Sequence, residues 1–525
     1  MRGARVIFRW PAVWLGLLGV YLIALAVTSL SRVMYQDAPI MLYSAFLVDR
    51  LQFVPYRDFF DNQMPGVYAA NIAIGRLSQY SEVGVRWVDV GALALLLGVT
   101  FGILPRFGSL AGWCAAIYVG ILYLASGEFL SLQREFLLLL PLTAAAWVAL
   151  ARFLPPAAKA PIVGVLLGLV ATIKPQAALA FAVLVASIAL APGTHDAASH
   201  DAASGTHRPH SRTTSMMAVV TLAALGFAVP LGVMLEWLRR HDGLSAFWDM
   251  AVNYWPLYNA LSGSPRPHDI LSGAARVWYV LGHSLTFGVH PGLPLLAAAV
   301  LGTWIAWPST TAVPERRHAV ITLGALAVTS WLSVAVAGKF YAYHWLPFLY
   351  FAILLAAQGW PDSRAAERSG RVPIAILVVL LTVGVPWRFG PFWRPFTFPF
   401  ARVEEIATYL KTHLQPGDTV APFDWTEGAA HAMLLARAPL GVPFLYNFPL
   451  YHHVSSPYVQ ALRQRVLERM NQAPPRFIVR VPQTPFAGPD TSATFEALDH
   501  LVETKYDRDV VGEGYEIWRR RDPAD

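Results

Sequence analysis

The chain has 525 residues, of which 55% are hydrophobic and only 14% are charged, and its mean hydropathy is +0.45. A soluble globular chain carries about 25% charged residues, so this composition argues against an ordinary soluble protein and indicates a membrane protein. The net charge is +7, but most basic residues stand in short loops between apolar runs, which indicates membrane topology rather than nucleic-acid binding. The single cysteine, Cys114, excludes an intramolecular disulfide and a cysteine-based metal site.

About eleven apolar runs are long enough to cross a bilayer. The first follows three arginines and lacks a cleavage pattern, so we expect a retained helix rather than a signal peptide. Lys174-Pro175 separates two short runs, which we interpret as two spans that meet at the membrane surface, with one kinked helix as the alternative. The runs lie at about 11–30, 86–104, 110–126, 136–153, 161–174, 176–192, 216–237, 291–308, 319–337, 343–358 and 373–388.

The loop charges give these runs an orientation. With the N-terminus inside, every predicted cytoplasmic loop is basic, as the positive-inside bias requires, and Arg239-Arg240 is the exception on the outer side. The long loop at 31–85, the loop at 238–290 and the C-terminus are then extracytoplasmic. The basic residues of the predicted cytoplasmic loops are Arg106, Arg152, Lys159, Arg208, Arg212, Arg316, Arg317, Arg364, Arg368 and Arg371.

The composition predicts two domains, a transmembrane domain at 1–390 and a C-terminal extracytoplasmic α/β domain at 391–525. Two weakly amphipathic stretches, 39–52 and 64–79, are candidates for helices along the membrane interface. The low-complexity loop 193–215 has irregularly spaced histidines, which favours a disordered, solvated linker over a metal site. In the C-terminal domain we predict helices at 402–414 and 457–472 and strands at 418–422, 476–481 and 515–519.

The first outer loop concentrates charged residues beside aromatic ones. Asp37 follows the first predicted helix closely, and Arg57, Asp58 and Asp61 follow a Pro55-Tyr56 break. Ionisable groups near a membrane surface are costly unless they are solvated or used. A solvated loop that only anchors the chain at the interface explains these residues equally well.

Three phrases of this loop resemble those of the GT-C superfamily, whose members include protein O-mannosyltransferases, aminoarabinose transferases and other bacterial polyprenyl-phosphate-sugar transferases. The phrases are Tyr35-Gln-Asp37, Val54-Pro-Tyr-Arg-Asp-Phe59 and Gln63-Met-Pro-Gly66. The architecture is also similar over most of the chain, with many spans, a large first outer loop and a C-terminal outer domain. The resemblance therefore implies an α-helical polytopic membrane protein of GT-C type.

The resemblance also implies a chemistry. Such enzymes are inverting: an acceptor hydroxyl attacks the anomeric carbon of the sugar while the polyprenyl phosphate leaves. A carboxylate takes the hydroxyl proton, and Asp37 matches the acid of the family's first loop. Asp58 and Asp61 are alternative bases, or they orient Arg57 in substrate binding. Cations or a metal ion stabilise the departing phosphate.

The second outer loop carries Glu128, Arg134 and Glu135 where members of the family often have a second functional charge. Glu128 and Glu135 are therefore catalytic candidates, and Arg134 is a candidate for substrate binding. A structural ion pair between Glu135 and Arg134 at the start of the next helix is the alternative. The paired acidic motif of the family is not present as such, so no cofactor is required by the sequence and a divalent metal stays an open alternative.

Two further segments supply basic and aromatic residues on the predicted outer face. Lys174 suits the donor phosphate as a point charge, although an ordinary snorkelling lysine is the alternative. The phrase Gly338–Pro347 resembles a Tyr/His-rich phrase of the family and makes Lys339, Tyr343 and His344 candidates for sugar or phosphate contacts. An interfacial aromatic belt explains the tyrosine equally well, but it explains the lysine and histidine less readily.

The resulting hypothesis is a transferase of the bacterial inner membrane that moves a sugar from a polyprenyl-phosphate donor to an extracytoplasmic glycan, lipid or protein acceptor. Its partners are the lipid-linked sugar, the acceptor and the bilayer, and nucleic acid is not among them. A transporter or flippase for a lipid-linked saccharide is a rival hypothesis. An envelope polysaccharide polymerase or ligase is a third hypothesis, and a catalytically inactive binding protein is a fourth.

Overall fold

The computed structural model describes residues 10–192, 210–263, 269–286, 292–311, 313–360, 371–386, 400–426, 428–482 and 489–522. They form two compact units that each draw on three stretches of the chain. Unit 1 is assigned Met1–Arg32, Asp89–Met234 and Tyr279–Arg388. Unit 2 is assigned Val33–Val88, Leu235–Trp278 and Phe389–Asp525. The predicted domain boundary at about residue 390 falls where the last stretch of unit 2 begins, and the division into a membrane and a tail domain stays a prediction.

In the first half of the chain, the described elements of secondary structure are helices. Its helices are α1 (Trp10–Ser29), α2 (Asp37–Leu51), α3 (Pro65–Ser78), α4 (Glu82–Ile103), α5 (Ser109–Ala125), α6 (Arg134–Leu150), α7 (Pro156–Ile173), α8 (Ala180–Ala189), α9 (His210–Arg240) and α10 (Leu244–Ala260).

The second half continues with helices and then adds a sheet. Its helices are α11 (Gly273–Leu285), α12 (Gly292–Thr311), α13 (Pro314–Ala337), α14 (Leu346–Ala357), α15 (Arg371–Val383), α16 (Phe400–His413), α17 (Ala429–Ala436), α18 (Pro457–Gln472) and α19 (Glu496–Lys505), and its strands are β1 (Val420–Phe423), β2 (Phe477–Arg480), β3 (Tyr506–Gly512) and β4 (Tyr515–Arg520).

Each of the eleven predicted apolar runs coincides with a helix. Six described helices are long and apolar enough to cross a membrane by themselves: α1, α4, α7, α9, α12 and α13. A helix satisfies all of its own backbone hydrogen bonds, which is why long apolar runs in lipid adopt this structure. The predicted class, a polytopic helical membrane protein with a small C-terminal α/β region, is confirmed, whereas the exact number of spans stays a prediction.

The helical backbone is interrupted between α7 and α8, as Lys174-Pro175 predicts. Lys174 has an extended backbone (φ −148°, ψ 101°), and a short 3-10 turn, Pro175–Leu179, follows it. A residue before proline is disfavoured in the helical region because it clashes with the proline ring, so α7 ends at Ile173. The structure therefore has two separate helices that pack against each other, rather than one kinked helix.

Small residues let the helices of unit 1 approach closely. A Cβ atom added at Gly164 would lie 2.1 Å from the carbonyl oxygen of Ala223, and one added at Gly168 would lie 2.5 Å from that of Phe227. The two glycines are four residues apart on α7 and form the GxxxG pattern of closely packed membrane helices. A Cβ atom added at Gly226 of α9 would likewise lie 2.3 Å from the carbonyl oxygen of Pro161. The contact between α7 and α9 thus depends on backbone surfaces without side chains.

Unit 2 is built around α2, which packs against α3 and α17. Every residue from Ala38 to Val48 is buried, and the Tyr43 hydroxyl donates a hydrogen bond to the carbonyl of Ala438 at 2.8 Å. The weakly amphipathic stretch 39–52 therefore forms a helix that is buried on nearly all sides. This burial anchors the residue at its first position, Asp37, to a rigid element.

The C-terminal region of unit 2 contains a four-stranded sheet of order β1-β2-β4-β3. β1 pairs in parallel with β2, and β4 pairs antiparallel with both β2 and β3. Both predicted helices and all three predicted strands are present, with bounds that differ by at most two residues. The sequence-based prediction missed α17, α19 and β3. The predicted disordered loop 193–215 lies largely outside the described residues, and α9 begins at His210 within it.

Candidate functional site

Asp37 is the first residue of α2 and is partly exposed. The residue before it, Gln36, has φ 49° and ψ −115°, a backbone conformation that a residue with a side chain rarely adopts. Such strain persists only where the surrounding structure holds it in place. A small cavity borders this turn and is lined in part by Tyr35, Gln36, Asp424, Thr426 and His431. Asp37 therefore begins a helix at a strained turn beside a small cavity with both polar and apolar lining.

Glu82 fixes the segment that leads to Asp37. One oxygen of its carboxylate accepts the backbone N–H of Met34 at 3.0 Å, and the other forms an ion-pair contact with Nε2 of His431. His431 is buried on α17, and Asp424 accepts the N–H of Ala429 at 2.8 Å and so closes the turn that precedes this helix. The sequence-based prediction missed Glu82 and His431, because only the tertiary fold brings α17 to the first outer loop.

Arg57 and Asp58 form a closed local arrangement. The guanidinium of Arg57 donates two parallel hydrogen bonds to the Asp58 carboxylate, at 2.8 and 2.9 Å, and a third to the carbonyl of His241 at 2.9 Å. Asp58 also accepts the N–H of Val54 at 2.7 Å. Burial alone raises the pKa of Asp58, but the Arg57 guanidinium and the Val54 N–H outweigh it and lower the pKa. The geometry supports the predicted orientation of Arg57 by its neighbour.

Asp61 lies in the interior of unit 2, with 2% of its surface exposed. Its carboxylate accepts hydrogen bonds from the hydroxyls of Tyr68 at 2.9 Å and Tyr446 at 3.0 Å, and from the N–H of Asn62 at 2.7 Å. Burial raises the pKa of Asp61 above its ordinary value, against the opposing effect of these hydrogen bonds. The carboxylate links the segment 33–88 to the C-terminal region of the same unit.

A second group of predicted residues meets inside unit 1. The Glu135 carboxylate, 1% exposed, lies 2.8 Å from Nζ of Lys174 and 3.4 Å from Nε2 of His344. Glu135 lies in the first turn of α6, Lys174 follows α7 and His344 precedes α14. Three helix ends therefore converge at this point. Residues from all three segments line one cavity. The sequence left open an ion pair between Glu135 and its neighbour in the chain; the structure pairs this carboxylate with Lys174.

Further basic and aromatic residues surround this ion pair. His344 is within electrostatic range of Arg134, Lys174 and Lys339, all positively charged, and Glu135 provides the opposing negative charge. Tyr343 packs edge to face against His344, with ring centroids 4.6 Å apart. The charges of the cluster sum to a net positive value, which suits an anionic ligand.

Glu128 lies in a short 3-10 turn, Gly127–Phe129, and forms an ion pair with Arg32 at 3.4 Å. Arg32 also donates to the carbonyl of Leu124 at 2.7 Å. The ring of Phe129 contacts that of Tyr343, with centroids 5.4 Å apart, so this turn adjoins the positively charged cluster. The sequence-based prediction missed Arg32, which has nothing unusual in its local sequence.

The structure thus divides the predicted site residues between the two units. Unit 2 holds Asp37, Arg57, Asp58 and Asp61; unit 1 brings Glu128, Arg134, Glu135, Lys174, Lys339, Tyr343 and His344 into one neighbourhood. The catalytic and binding roles of these residues stay predictions. Within the described part of the chain, no group of three or more His, Cys, Asp or Glu side chains is arranged to hold a metal ion.

Comparisons with known proteins point to one fold. No protein-family model and no curated protein matches the sequence significantly. The structure of ArnT from Cupriavidus metallidurans bound to undecaprenyl phosphate is similar over 96% of this chain and 97% of that chain, with a TM-score of 0.53 and 12% identity.

Two weaker similarities support no conclusion by themselves. The apo structure of the same ArnT covers 97% of this chain and 98% of that chain, at a TM-score of 0.39 and 14% identity. The apo oligosaccharyltransferase of Archaeoglobus fulgidus covers 90% of this chain and 70% of that chain, at a TM-score of 0.44 and 12% identity. The similarity to undecaprenyl-phosphate-bound ArnT along nearly the whole chain shows that this chain shares the fold of that protein, as the resemblance in the loop at 31–85 implies.

Proposed function

We propose that this protein is an inverting glycosyltransferase that moves a sugar from a polyprenyl phosphate to an extracytoplasmic acceptor. The observation that carries the proposal is the similarity of the fold, along nearly the whole chain, to a structure that holds undecaprenyl phosphate. At 12% identity this similarity concerns the fold. The assignment of chemistry therefore rests on the residues of each unit.

The proposed reaction replaces one bond at the anomeric carbon by another. The acceptor oxygen forms a bond to this carbon on one face, and the bond to the phosphate oxygen breaks on the opposite face. The acceptor proton passes to a carboxylate, and the electron pair of the broken bond leaves with the polyprenyl phosphate. The protein must therefore supply a base and a set of cations that stabilise the negative charge on the leaving phosphate.

We assign the base to Asp37. Asp61 is 2% exposed, so an acceptor cannot approach its carboxylate, and Asp58 forms two hydrogen bonds with the Arg57 guanidinium that it orients. Asp37 is partly exposed and stands at the N-terminus of a helix, where the helix dipole stabilises a carboxylate. The strained turn at Gln36 and the anchor at Glu82 fix its position, as a base in a transfer reaction requires.

We assign binding of the donor phosphate to the cluster of Lys174, Lys339 and Arg134 in unit 1. Cations stabilise a leaving phosphate without a proton transfer. Glu135 and Glu128 then act as positioning residues, because each forms an ion pair with a basic side chain of the same unit. A divalent metal ion is the alternative source of positive charge, and adding a chelator to the assay separates the two.

The test is transfer of a labelled sugar from synthetic polyprenyl-phosphate donors by the purified full-length protein. We expect Asp37→Asn to lower the turnover by about 10²–10⁴-fold, the usual contribution of a general base, with little change in donor affinity. Asp507→Asn is the matched control, because Asp507 lies on the edge strand β3 with 67% of its side chain exposed. The control variant should retain full activity.

Each outcome decides between named hypotheses. Full activity of Asp37→Asn contradicts the assignment of the base, and loss of activity in Asp507→Asn shows that the assay reports general damage. If no donor is consumed while lipid-linked sugar crosses a vesicle bilayer, the protein is a flippase and the proposed function is wrong.

A further inference from the structure

A basic cavity in unit 1 is lined by none of the residues assigned above. It lies where α4 and α6 end and where α5 and α13 begin, and its volume is about 470 Å³. Ligand pockets in proteins measure about 300–1,000 Å³, so this cavity is large enough for a small ligand or a headgroup. Its lining includes Arg106, Arg152, Arg316, Trp147 and Phe153.

Three guanidinium groups are held together by the ends of these helices. Arg316 donates from Nε to the carbonyl oxygen of Arg106 at 2.6 Å, and Arg106 donates from Nη2 to that of Leu150 at 3.1 Å. Arg152 lies 3.5 Å from the carboxylate of Glu315. Each guanidinium has five N–H groups, and these contacts use only a few of them. Hydrogen bonds to backbone carbonyls therefore hold the guanidinium groups of Arg106 and Arg316, while most of the donor capacity of the three arginines is left for a ligand.

The described charges at this cavity are unbalanced. Among the described residues, the carboxylate that pairs with Arg152 there is that of Glu315, against the three guanidinium groups of Arg106, Arg152 and Arg316, and Arg106 and Arg152 are close enough to repel each other. A bound anion relieves this repulsion. The planar fork of a guanidinium matches two oxygens of a phosphate, so several arginines in one cavity favour a phosphate group over a neutral ligand.

The surface beside this cavity carries two exposed aromatic rings. Trp147 and Phe153 pack against each other with ring centroids 5.7 Å apart, and they are 37% and 68% exposed. Exposed aromatic rings beside basic residues are typical of the membrane–water interface. The same three arginines belong to the loops that the sequence predicts to be cytoplasmic, where anionic lipids attract basic residues.

We propose that this cavity binds the headgroup of an anionic phospholipid, with Arg106, Arg152 and Arg316 at the phosphate and with Trp147 and Phe153 against the acyl chains. The site is separate from the proposed transfer chemistry and does not depend on it. A lipid bound there joins the ends of α4, α6 and α13, the three helices whose residues line or flank the cavity.

The test is binding of phosphatidylglycerol and of phosphatidylcholine with the same acyl chains, measured by native mass spectrometry on the full-length protein in detergent. We expect the protein to prefer phosphatidylglycerol, and we expect Arg152→Gln to weaken its binding about tenfold, the effect of one charge-assisted hydrogen bond. The Arg152 side chain is 65% exposed, so this variant keeps its fold. Arg317→Gln is the matched control, because Arg317 is an exposed neighbour that does not line the cavity.

Three results overturn the proposal. The first is equal binding of the two lipids by the wild type. The second is an equal loss in Arg152→Gln and Arg317→Gln, or no loss in either, because diffuse attraction to basic loops then explains the binding. The third is complete displacement of phosphatidylglycerol by inorganic phosphate at a comparable concentration, which shows that the cavity takes free phosphate rather than a lipid.

Discussion

Removal of the Glu135 carboxylate tests the ion pair at the centre of unit 1. Glu135→Gln keeps the shape of the side chain but leaves the ammonium of Lys174, 2.8 Å away, without its counter-charge. At this distance and an effective dielectric constant of about 20, the attraction is about 6 kcal/mol before desolvation is counted. The expected loss of stability is about 3–5 kcal/mol, the cost of leaving a buried charge unpaired. The measurement is thermal unfolding of the full-length protein in detergent.

The double variant Glu135→Gln/Lys174→Gln separates structure from function. It removes the stranded charge, so we expect it to unfold at a higher temperature than Glu135→Gln, but to remain inactive because the proposed phosphate-binding lysine is gone. Glu236→Gln is the control, since Glu236 pairs with Arg239 and Arg240 on the exposed surface and should show no measurable change. A Glu135→Gln variant as stable as the wild type refutes the reasoning on stability, and an active double variant refutes the role of Lys174.

Two further predictions concern helix packing and the buried carboxylate of unit 2. Gly164→Leu should destabilise the protein by about 1–3 kcal/mol, because the added side chain collides with the backbone of Ala223. Gly324→Leu is the control, since nothing lies within 4 Å of a Cβ added there. Equal unfolding temperatures of the two variants contradict the close packing at Gly164. Burial raises the pKa of Asp61 above its ordinary value of 3.8, so folding favours the protonated form. The stability of the wild type relative to Asp61→Asn should therefore be greatest below pH 3.8 and should fall as the pH rises through the raised pKa, and thermal unfolding that shows no such pH-dependent difference contradicts the assignment.

The sequence predicts the helices of unit 1 because a long apolar run that lies in lipid must also be helical. A backbone without water must satisfy its own hydrogen bonds, so each apolar run becomes a helix. The break at Lys174-Pro175 is equally local, since proline constrains the residue before it. The GxxxG pattern at Gly164 and Gly168 is visible in the sequence, but the sequence does not show which helix packs against it.

The elements that the sequence failed to predict lack a local signal. The segment Ala429–Ala436 is short and apolar, and a run of this length does not distinguish a helix from a buried strand. The strand Tyr506–Gly512 is a charged edge strand whose side chains are mostly exposed, so it lacks the clear alternation that identifies strands. Both depend on tertiary packing that a single sequence does not contain.

The candidate site was predicted as separate residues rather than as contacts. Glu135, Lys174 and His344 were each chosen separately, by resemblance or by charge. The fold brings the Glu135 carboxylate next to Lys174 and His344. The contacts of Glu128 with Arg32 and of Glu82 with His431 join segments that are distant in the chain, so the local sequence does not predict them.

The most direct test of the central claim follows the anomeric carbon itself. The full-length protein in lipid nanodiscs is given a polyprenyl-phosphate sugar of known anomeric configuration, labelled in the sugar, together with an envelope extract as acceptor. We expect that the label leaves the lipid, that polyprenyl phosphate is released in equal amount, and that the product has the opposite anomeric configuration. Retention of configuration, or a donor that stays intact in the presence of active protein, contradicts the proposed reaction.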